Sequence, residues 1–174
     1  MHYEMLKHTG DVDWYMFDYI YKVTRGTGKS TSTTTYNNSV VAIRLPVVLP
    51  PMRLSQESLS DRLGKVLGRG EVEFESEEFN KRYFVQCPDK KAAFDLLHPQ
   101  MIEFLLSVQP MAWQIEFPFV LLFIPTLATV QDYAYLAWCL DRFADLIPAY
   151  VRQDRTFQPQ WKGPLDFFGT TARS

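Results

Sequence analysis

The chain has 174 residues and a formal net charge of −2, and 47% of its residues are hydrophobic and 22% charged. This composition excludes a wholly disordered chain, a collagen, a coiled coil and a cysteine-rich scaffold. A chain of this length buries about 70% of its unfolded surface, so one domain can build its core without metals or disulfides.

The first two predicted elements are strands that form a long hairpin. Residues 14–23 alternate in side-chain character, and their tyrosines, Tyr19 and Tyr21 among them, fall on one face. A loop with two glycines over 25–30 separates this strand from a run rich in β-branched residues over 33–45. Two such runs joined by a short glycine loop are typical of a β-hairpin.

A helix is predicted to complete the first unit. The connector over 46–51 contains three prolines and is predicted to be extended. Ser55 is a favoured N-cap residue, and apolar residues at helical spacing follow it as far as Gly68, which is placed to end the helix. The first unit is therefore predicted as strand, strand, helix.

The second unit is predicted to repeat this order. Residues 72–74 and 82–87 are predicted as short strands joined by a turn over 76–80. Asp89 is then predicted to cap a helix, which Pro99 splits into two.

The third unit has the same predicted form. Residues 113–117 and 119–124 are predicted as strands on either side of a proline. The last helix is predicted to begin at Thr129, with Asp132 three residues on as its reciprocal capping partner, and to end at Pro148.

Three successive strand–strand–helix units predict an α+β fold. We expect two layers: a mainly antiparallel sheet of about six strands, with three helices on one face. The other face is predicted to carry Asp18, Lys22 and Arg44 together with several aromatic residues. We expect that face to be partly open to water or to a partner.

The domain limits are predicted from where the periodicity starts and stops. Residues 1–13 are predicted as an N-terminal extension, 14–148 as a single domain, and 149–174 as an irregular, aromatic-rich tail. Three interpretations of the tail, which includes Trp161, stay open: a disordered segment, a segment packed back over the sheet, or a contact with a membrane or partner. Packing back is favoured, because four large aromatic side chains are costly to leave in water.

No complete motif for catalysis, metal binding or nucleotide binding is present. The loop over 26–30 lacks the first glycine of a phosphate-binding loop, since Val23 stands at that position. No histidine spacing fits a transition-metal site, so no metal or cofactor is predicted. Cys87 and Cys139 are interpreted as reduced, buried thiols, which weakly favours the cytoplasm.

Charge argues against nucleic acid as a partner, and hydropathy argues against a membrane-spanning helix within the chain. Residues 71–103 hold eight acids and four bases, a net charge of −4, so nucleic acid is not expected as a partner. The most apolar stretch, 115–127, has 13 residues and includes Glu116, whereas a membrane-spanning helix needs about 20 apolar residues. No secretory signal is found over 1–18.

A set of packing and turn residues carries a resemblance to a known family. These residues are Phe74-Glu75-Ser76-Glu77, Phe79-Asn80, Tyr83, Val85, Asp89, Ala93, Leu97, Pro99, Met101, Glu103 and Leu105. With the first hairpin and the segment 146–148, this run resembles a family of uncharacterised, mainly actinobacterial proteins over residues 14–150. In that family a soluble domain follows hydrophobic N-terminal segments. The resemblance thus implies the cytoplasm-facing domain of a membrane-tethered bacterial protein, and it implies no activity and no site residues.

The leading functional hypothesis is a non-enzymatic interaction or ligand-binding module. It would bind a protein or a small ligand through the open sheet face, and the candidate contacts are Tyr19, Tyr21 and Trp161.

Two alternatives stay open. The first is an enzyme of unknown class with a site assembled around His98, Asp89 and Ser76. The second is a structural domain that associates with itself through the long edge of the first hairpin.

Overall fold

The computed structural model describes residues 2–4, 13–25, 31–56 and 70–153. The predicted helix that ends at Gly68 and the glycine loop over 26–30 lie outside the described residues. The tail from residue 154 onward, with Trp161, lies outside them as well.

Seven strands of the described chain form one sheet. They are β1 (His2–Glu4), β2 (Asp13–Arg25), β3 (Ser32–Arg44), β4 (Met52–Ser55), β5 (Phe84–Gln86), β6 (Ala112–Glu116) and β7 (Phe119–Ile124). Their order across the sheet is β1-β2-β3-β7-β6-β4-β5, and every neighbouring pair is antiparallel.

Five helices accompany the sheet in the described part of the chain. They are α1 (Glu77–Arg82), α2 (Lys90–Leu96), α3 (Pro99–Ser107), α4 (Val130–Leu146) and α5 (Ala149–Gln153). The break between α2 and α3 falls at Pro99, as predicted, because a proline has no N–H to donate and fits the first helical turn.

The main core lies between these helices and one face of the sheet. On β6, Trp113 is buried and stacks on Phe143 of α4, with ring centroids 5.2 Å apart. The same core includes Val41 and Ile43 of β3. A sheet packed on helices in two layers confirms the predicted α+β class, with seven strands where about six were expected.

The opposite face of the sheet, here called the outer face, has a smaller cluster of its own. Its buried members are Val40, Ala42, Ala112, Leu121 and Phe123. The middle of this face is therefore buried, and only its margins match the predicted open surface. Arg44 lies at such a margin, exposed and 3.5 Å from Asp13.

The predicted face of Asp18 is wrong. Its carboxylate accepts a hydrogen bond of 2.7 Å from the Tyr133 hydroxyl of α4 and another from the Ser39 hydroxyl. Asp18 therefore lies on the helix-covered face, and Lys22, four residues along the same strand, shares that side. Alternation separates the two sides of a strand, but it does not say which side the helices cover.

The second strand–strand–helix unit differs from the prediction. Residues 72–74 form no strand, and only a single bridge joins Glu71 to Gln86. Strand β5 pairs instead with β4, which was not predicted as a strand. The predicted N-cap residue Ser55 is the last residue of β4, so that prediction is wrong.

The predicted turn over 76–80 is part of helix α1. The Ser76 hydroxyl accepts a hydrogen bond from the Phe79 amide, acids fill the first turn and bases the last. Phe79 is fully buried and anchors this short helix in the core.

The hairpin of the first unit and the whole of the third unit match the prediction. Strands β2 and β3 form the long hairpin, and β6 and β7 pair around a turn that contains the cis Phe117–Pro118 peptide. Thr129 and Asp132 form the predicted capping box at the start of α4.

Two elements lie outside the predicted limits of the domain. Strand β1 pairs with β2, and α5 contains the buried residue Val151. The limits at residues 14 and 148 stay a prediction.

Candidate functional site

The first hairpin is longer than the strands on either side of it. Strands β2 and β3 pair along all 13 residues of each. By contrast, β7 pairs only with residues 39–44 of β3, and β1 only with residues 16–18 of β2. Residues 19–25 and 32–38 therefore extend past the rest of the described sheet as a two-stranded ribbon, here called the ribbon.

Backbone geometry fixes which groups face outward from β3. The Leu45 amide donates to the Pro118 carbonyl, 2.9 Å away, on the β7 side. Successive residues of a strand direct their N–H and C=O groups to opposite neighbours, and the pairing of β2 with β3 skips no residue. Thr33, Thr35 and Asn37 therefore direct their backbone groups away from β2.

Those groups form an edge that no described strand pairs with, here called the open edge. Strand β7 ends at Ile124, opposite Ser39, and Pro125 follows it outside the strand. The strand ladder on this side of β3 therefore stops at Ser39. Edges of this kind are templates for adding another strand.

The chemistry of the open edge offers little protection against strand addition. Natural edge strands are usually guarded by lysine, proline or a bulge. Residues 32–38 read Ser-Thr-Thr-Thr-Tyr-Asn-Asn and contain no charge and no proline. The side chains over 32–35 are all exposed. Three consecutive β-branched threonines favour an extended backbone, so the edge is preformed for pairing.

A cluster of tyrosines lies on the outer face of the ribbon. Tyr21 stacks on Tyr36 with ring centroids 4.9 Å apart, and Tyr19 lies 5.5 Å from Tyr21. All three are half-buried. The predicted candidates Tyr19 and Tyr21 are thus brought together. Tyr36 was missed, because its place opposite Tyr21 depends on the pairing register.

The predicted catalytic residues are placed at helix N-termini. Ser76 accepts a hydrogen bond from the Phe79 amide at 3.3 Å, and Asp89 accepts one from the Ala92 amide at 3.1 Å. His98 precedes α3, and its Nε2 lies 3.0 Å from the Leu146 carbonyl oxygen. Within the described residues, no hydrogen bond joins any two of these three side chains. Their geometry thus serves helix ends and packing.

A buried polar pair joins β4 to β6. The Arg53 guanidinium is 4% exposed and donates to the Gln114 side-chain oxygen at 3.2 Å. Burial lowers the pKa of Arg53. Burial also raises the pKa of Glu116, and the electrostatic attraction to Arg53 offsets part of that rise. This pair was not predicted from the sequence, because it depends on the pairing of β4 with β6.

The described residues offer no metal centre and no activated thiol. No group of three or more histidine, cysteine, aspartate or glutamate side chains in this part of the chain could hold a metal ion. Cys87 and Cys139 are both buried, as predicted. Burial raises the pKa of Cys139 to about 11, so its thiolate is scarce at neutral pH.

The fold and the site together define a two-layer α+β domain with a protruding β-ribbon. The chain is similar in structure to the mycobacterial trehalose monomycolate transport factor A, TtfA, as seen in its crystal structure. The TM-score is 0.47 and the sequence identity 14%, over 83% of this chain and 86% of that chain. At that TM-score the likeness has no bearing on what this chain does. No family model and no curated protein matches the chain.

None of the described helices is long and apolar enough to cross a lipid bilayer.

Proposed function

We propose that this chain is a non-enzymatic binding module that holds an extended polypeptide segment against the open edge. One observation carries the proposal: Thr33, Thr35 and Asn37 direct backbone N–H and C=O groups to a side of β3 that no described strand occupies. In recognition by strand addition, main-chain hydrogen bonds supply affinity and alternate side chains supply specificity.

The ribbon has the side chains that such recognition uses. A bound segment would lie beside Thr34 and Tyr36 on the outer face, next to the Tyr21–Tyr36 stack. Tyrosine gives a large contact area at low conformational cost, because it has two rotatable side-chain bonds. On the reverse face the bound segment would meet Thr33 and Thr35, whose methyl groups pack well across strands.

The enzymatic alternative has no comparable support. Ser76 and Asp89 bond to helix amides, and His98 contacts a backbone carbonyl. A nucleophile or general base must instead reach a reacting group, and no described pair among these three provides that geometry.

Membrane tethering is proposed on separate grounds. The support is the resemblance of residues 14–150 to proteins whose soluble domain follows hydrophobic segments. The test is the native coding sequence upstream of Met1, in which we expect in-frame apolar segments of about 20 residues. A stop codon directly upstream would contradict the tether and leave the binding proposal unaffected.

The binding proposal is tested by selecting peptides from a displayed random library of about 12 residues on the immobilised full chain. Selected peptides are then titrated by calorimetry against wild type, Thr35→Pro and Thr35→Val. The Thr35 N–H faces the open edge, so proline removes an edge donor and leaves the hairpin bonds to β2 intact. Valine keeps the backbone donor and the branched side chain, and serves as the matched control.

We expect Thr35→Pro to weaken peptide binding by about tenfold or more and Thr35→Val to change it little. Thermal melts of both variants establish that the fold is retained. A library that yields no binder, or peptides that bind Thr35→Pro as tightly as wild type, would overturn the proposal.

A further inference from the structure

We infer that the open edge also pairs with a second copy of this chain, antiparallel, across a two-fold axis at Thr35. The inference rests on the proposed function in one respect, because it uses the same edge. The contact would be isologous: the same seven residues, 32–38, from each copy.

The pairing register follows from the directions of the backbone groups. With the axis at Thr35, each copy's Thr35 faces the other copy's Thr35, and Thr33 faces the other copy's Asn37. All of these residues direct their N–H and C=O groups outward. Directly opposed residues of this kind exchange both hydrogen bonds in an antiparallel ladder. This register therefore satisfies every outward backbone group of Thr33, Thr35 and Asn37 in both copies.

The absence of charge from the open edge favours a second copy as the occupant. Like charges directly opposite each other destabilise a strand pair, and a symmetric pair puts each residue near its own copy. No residue over 32–38 is charged, so symmetric pairing meets no repulsion there. The part of β2 that extends past β1 is different: symmetric pairing centred on residues 19–25 would set Lys22 directly opposite its own copy.

Among the described residues, the neighbouring strand β7 leaves room for this contact. Strand β7 stops opposite Ser39, so the contact core over 33–37 lies past its end. In the paired form, Tyr36 of each copy stands opposite Thr34 of the other, on the outer face. The Tyr21–Tyr36 stacks of the two copies would then form one continuous aromatic surface.

Sedimentation velocity of the full chain over a concentration series up to about 1 mM tests the inference. Thr34 lies opposite Val23 within its own hairpin, and diagonally across from Thr34 of the second copy. A charge introduced at residue 34 would lie near the same charge in the second copy and would be repelled by it. We therefore expect wild type to dimerise with rising concentration, and Thr34→Lys and Thr34→Glu each to stay monomeric. An equimolar mixture of the two variants should form a heterodimer, because the two new charges then attract.

Thr24→Lys is the matched control. It adds the same charge to the exposed face of β2 and should dimerise as wild type does. A monomeric wild type, a Thr34→Lys variant that dimerises normally, or a mixture that stays monomeric would each overturn self-pairing.

The two proposals fail in distinguishable ways. If the wild-type chain stays monomeric but binds peptides, and Thr35→Pro abolishes that binding, self-pairing is refuted and the proposed function stands. If the wild-type chain dimerises, Thr34→Lys abolishes the dimer and the library yields no peptide, self-pairing stands and the proposed function is refuted.

Discussion

Among single residues, Phe143 and Phe94 contrast in how much each stabilises the fold. Phe143 is fully buried and stacks on Trp113, whereas Phe94 is 48% exposed and touches Phe74 from the surface. We expect Phe143→Ala to lower the free energy of unfolding by about 3–5 kcal/mol, because it leaves a cavity that the core cannot close. Phe94→Ala is the matched control and should cost roughly 1 kcal/mol.

Urea denaturation of the two variants checks this expectation. Equal losses from Phe143→Ala and Phe94→Ala would contradict the placement of the core between α4 and the sheet.

Side chains whose role depends on local spacing could be predicted from the sequence. Tyr19 and Tyr21 share a face because side chains in a strand alternate, and the structure places them together. The surroundings of Asp18 could not be predicted in this way. Alternation shows which residues of β2 share a side with Asp18, but it does not show which side the helices cover. Its partner in α4, Tyr133, lies 115 residues away in the sequence.

At the scale of one element, the capping box gives α4 a dependence on pH. The Asp132 carboxylate accepts hydrogen bonds from the Thr129 amide and hydroxyl, both at 2.8 Å. The backbone and side-chain hydrogen bonds from Thr129 hold the pKa of Asp132 below its ordinary value. The stabilisation is therefore present above the pKa of the unfolded chain and is lost as the pH falls through the lower folded pKa.

We expect Asp132→Asn to be less stable than wild type at neutral pH, with the difference shrinking as the solution is acidified below about pH 4. Asp141→Asn, on an exposed turn of the same helix, is the control for the loss of one negative charge. Denaturation midpoints measured over a pH series test this. A difference between wild type and Asp132→Asn that stays constant down to the lowest pH would contradict the account of the cap.

Elements with strong local signals were predicted, and elements that depend on distant partners were not. Helix α4 has its capping box and a regular apolar stripe, and both are visible in the sequence. Strand β4 has four residues, all buried, and it exists because β5 and β6 pair with it on either side. Helix α1 had a readable signal, Ser76 followed by acids and then bases, which the prediction of a turn overlooked.

For the whole molecule, the ribbon arises from unequal strand lengths. The long hairpin was predictable from two alternating runs around a glycine loop. Its exposed part was not, because the length of β7 and its register against β3 decide where the sheet stops. Predicting the site therefore depends on two features. One is the local alternation that puts the tyrosines on one face, and the other is the long-range pairing of β3 with β7, which stops at Ser39.

A two-stranded ribbon is only marginally stable by itself, so the addition of a third strand would stabilise it. Cross-strand contacts such as the Tyr21–Tyr36 stack, with ring centroids 4.9 Å apart, hold the ribbon in strand form. A third strand would add main-chain hydrogen bonds on one side and bury more of both faces. The described part of the chain thus presents a preformed template attached to a two-layer body.

Residue-resolved amide hydrogen exchange of the full chain, followed by NMR in dilute solution and at high concentration, tests the central claim most directly. We expect fast exchange in dilute solution for the amides of Thr33, Thr35 and Asn37, and slow exchange for those of Val41 and Ile43, which face β7. At high concentration, or with a selected peptide bound, the three fast amides should become protected. If they are already as slow as Val41 in dilute solution, or stay fast when the edge should be occupied, β3 has no open edge that binds another strand.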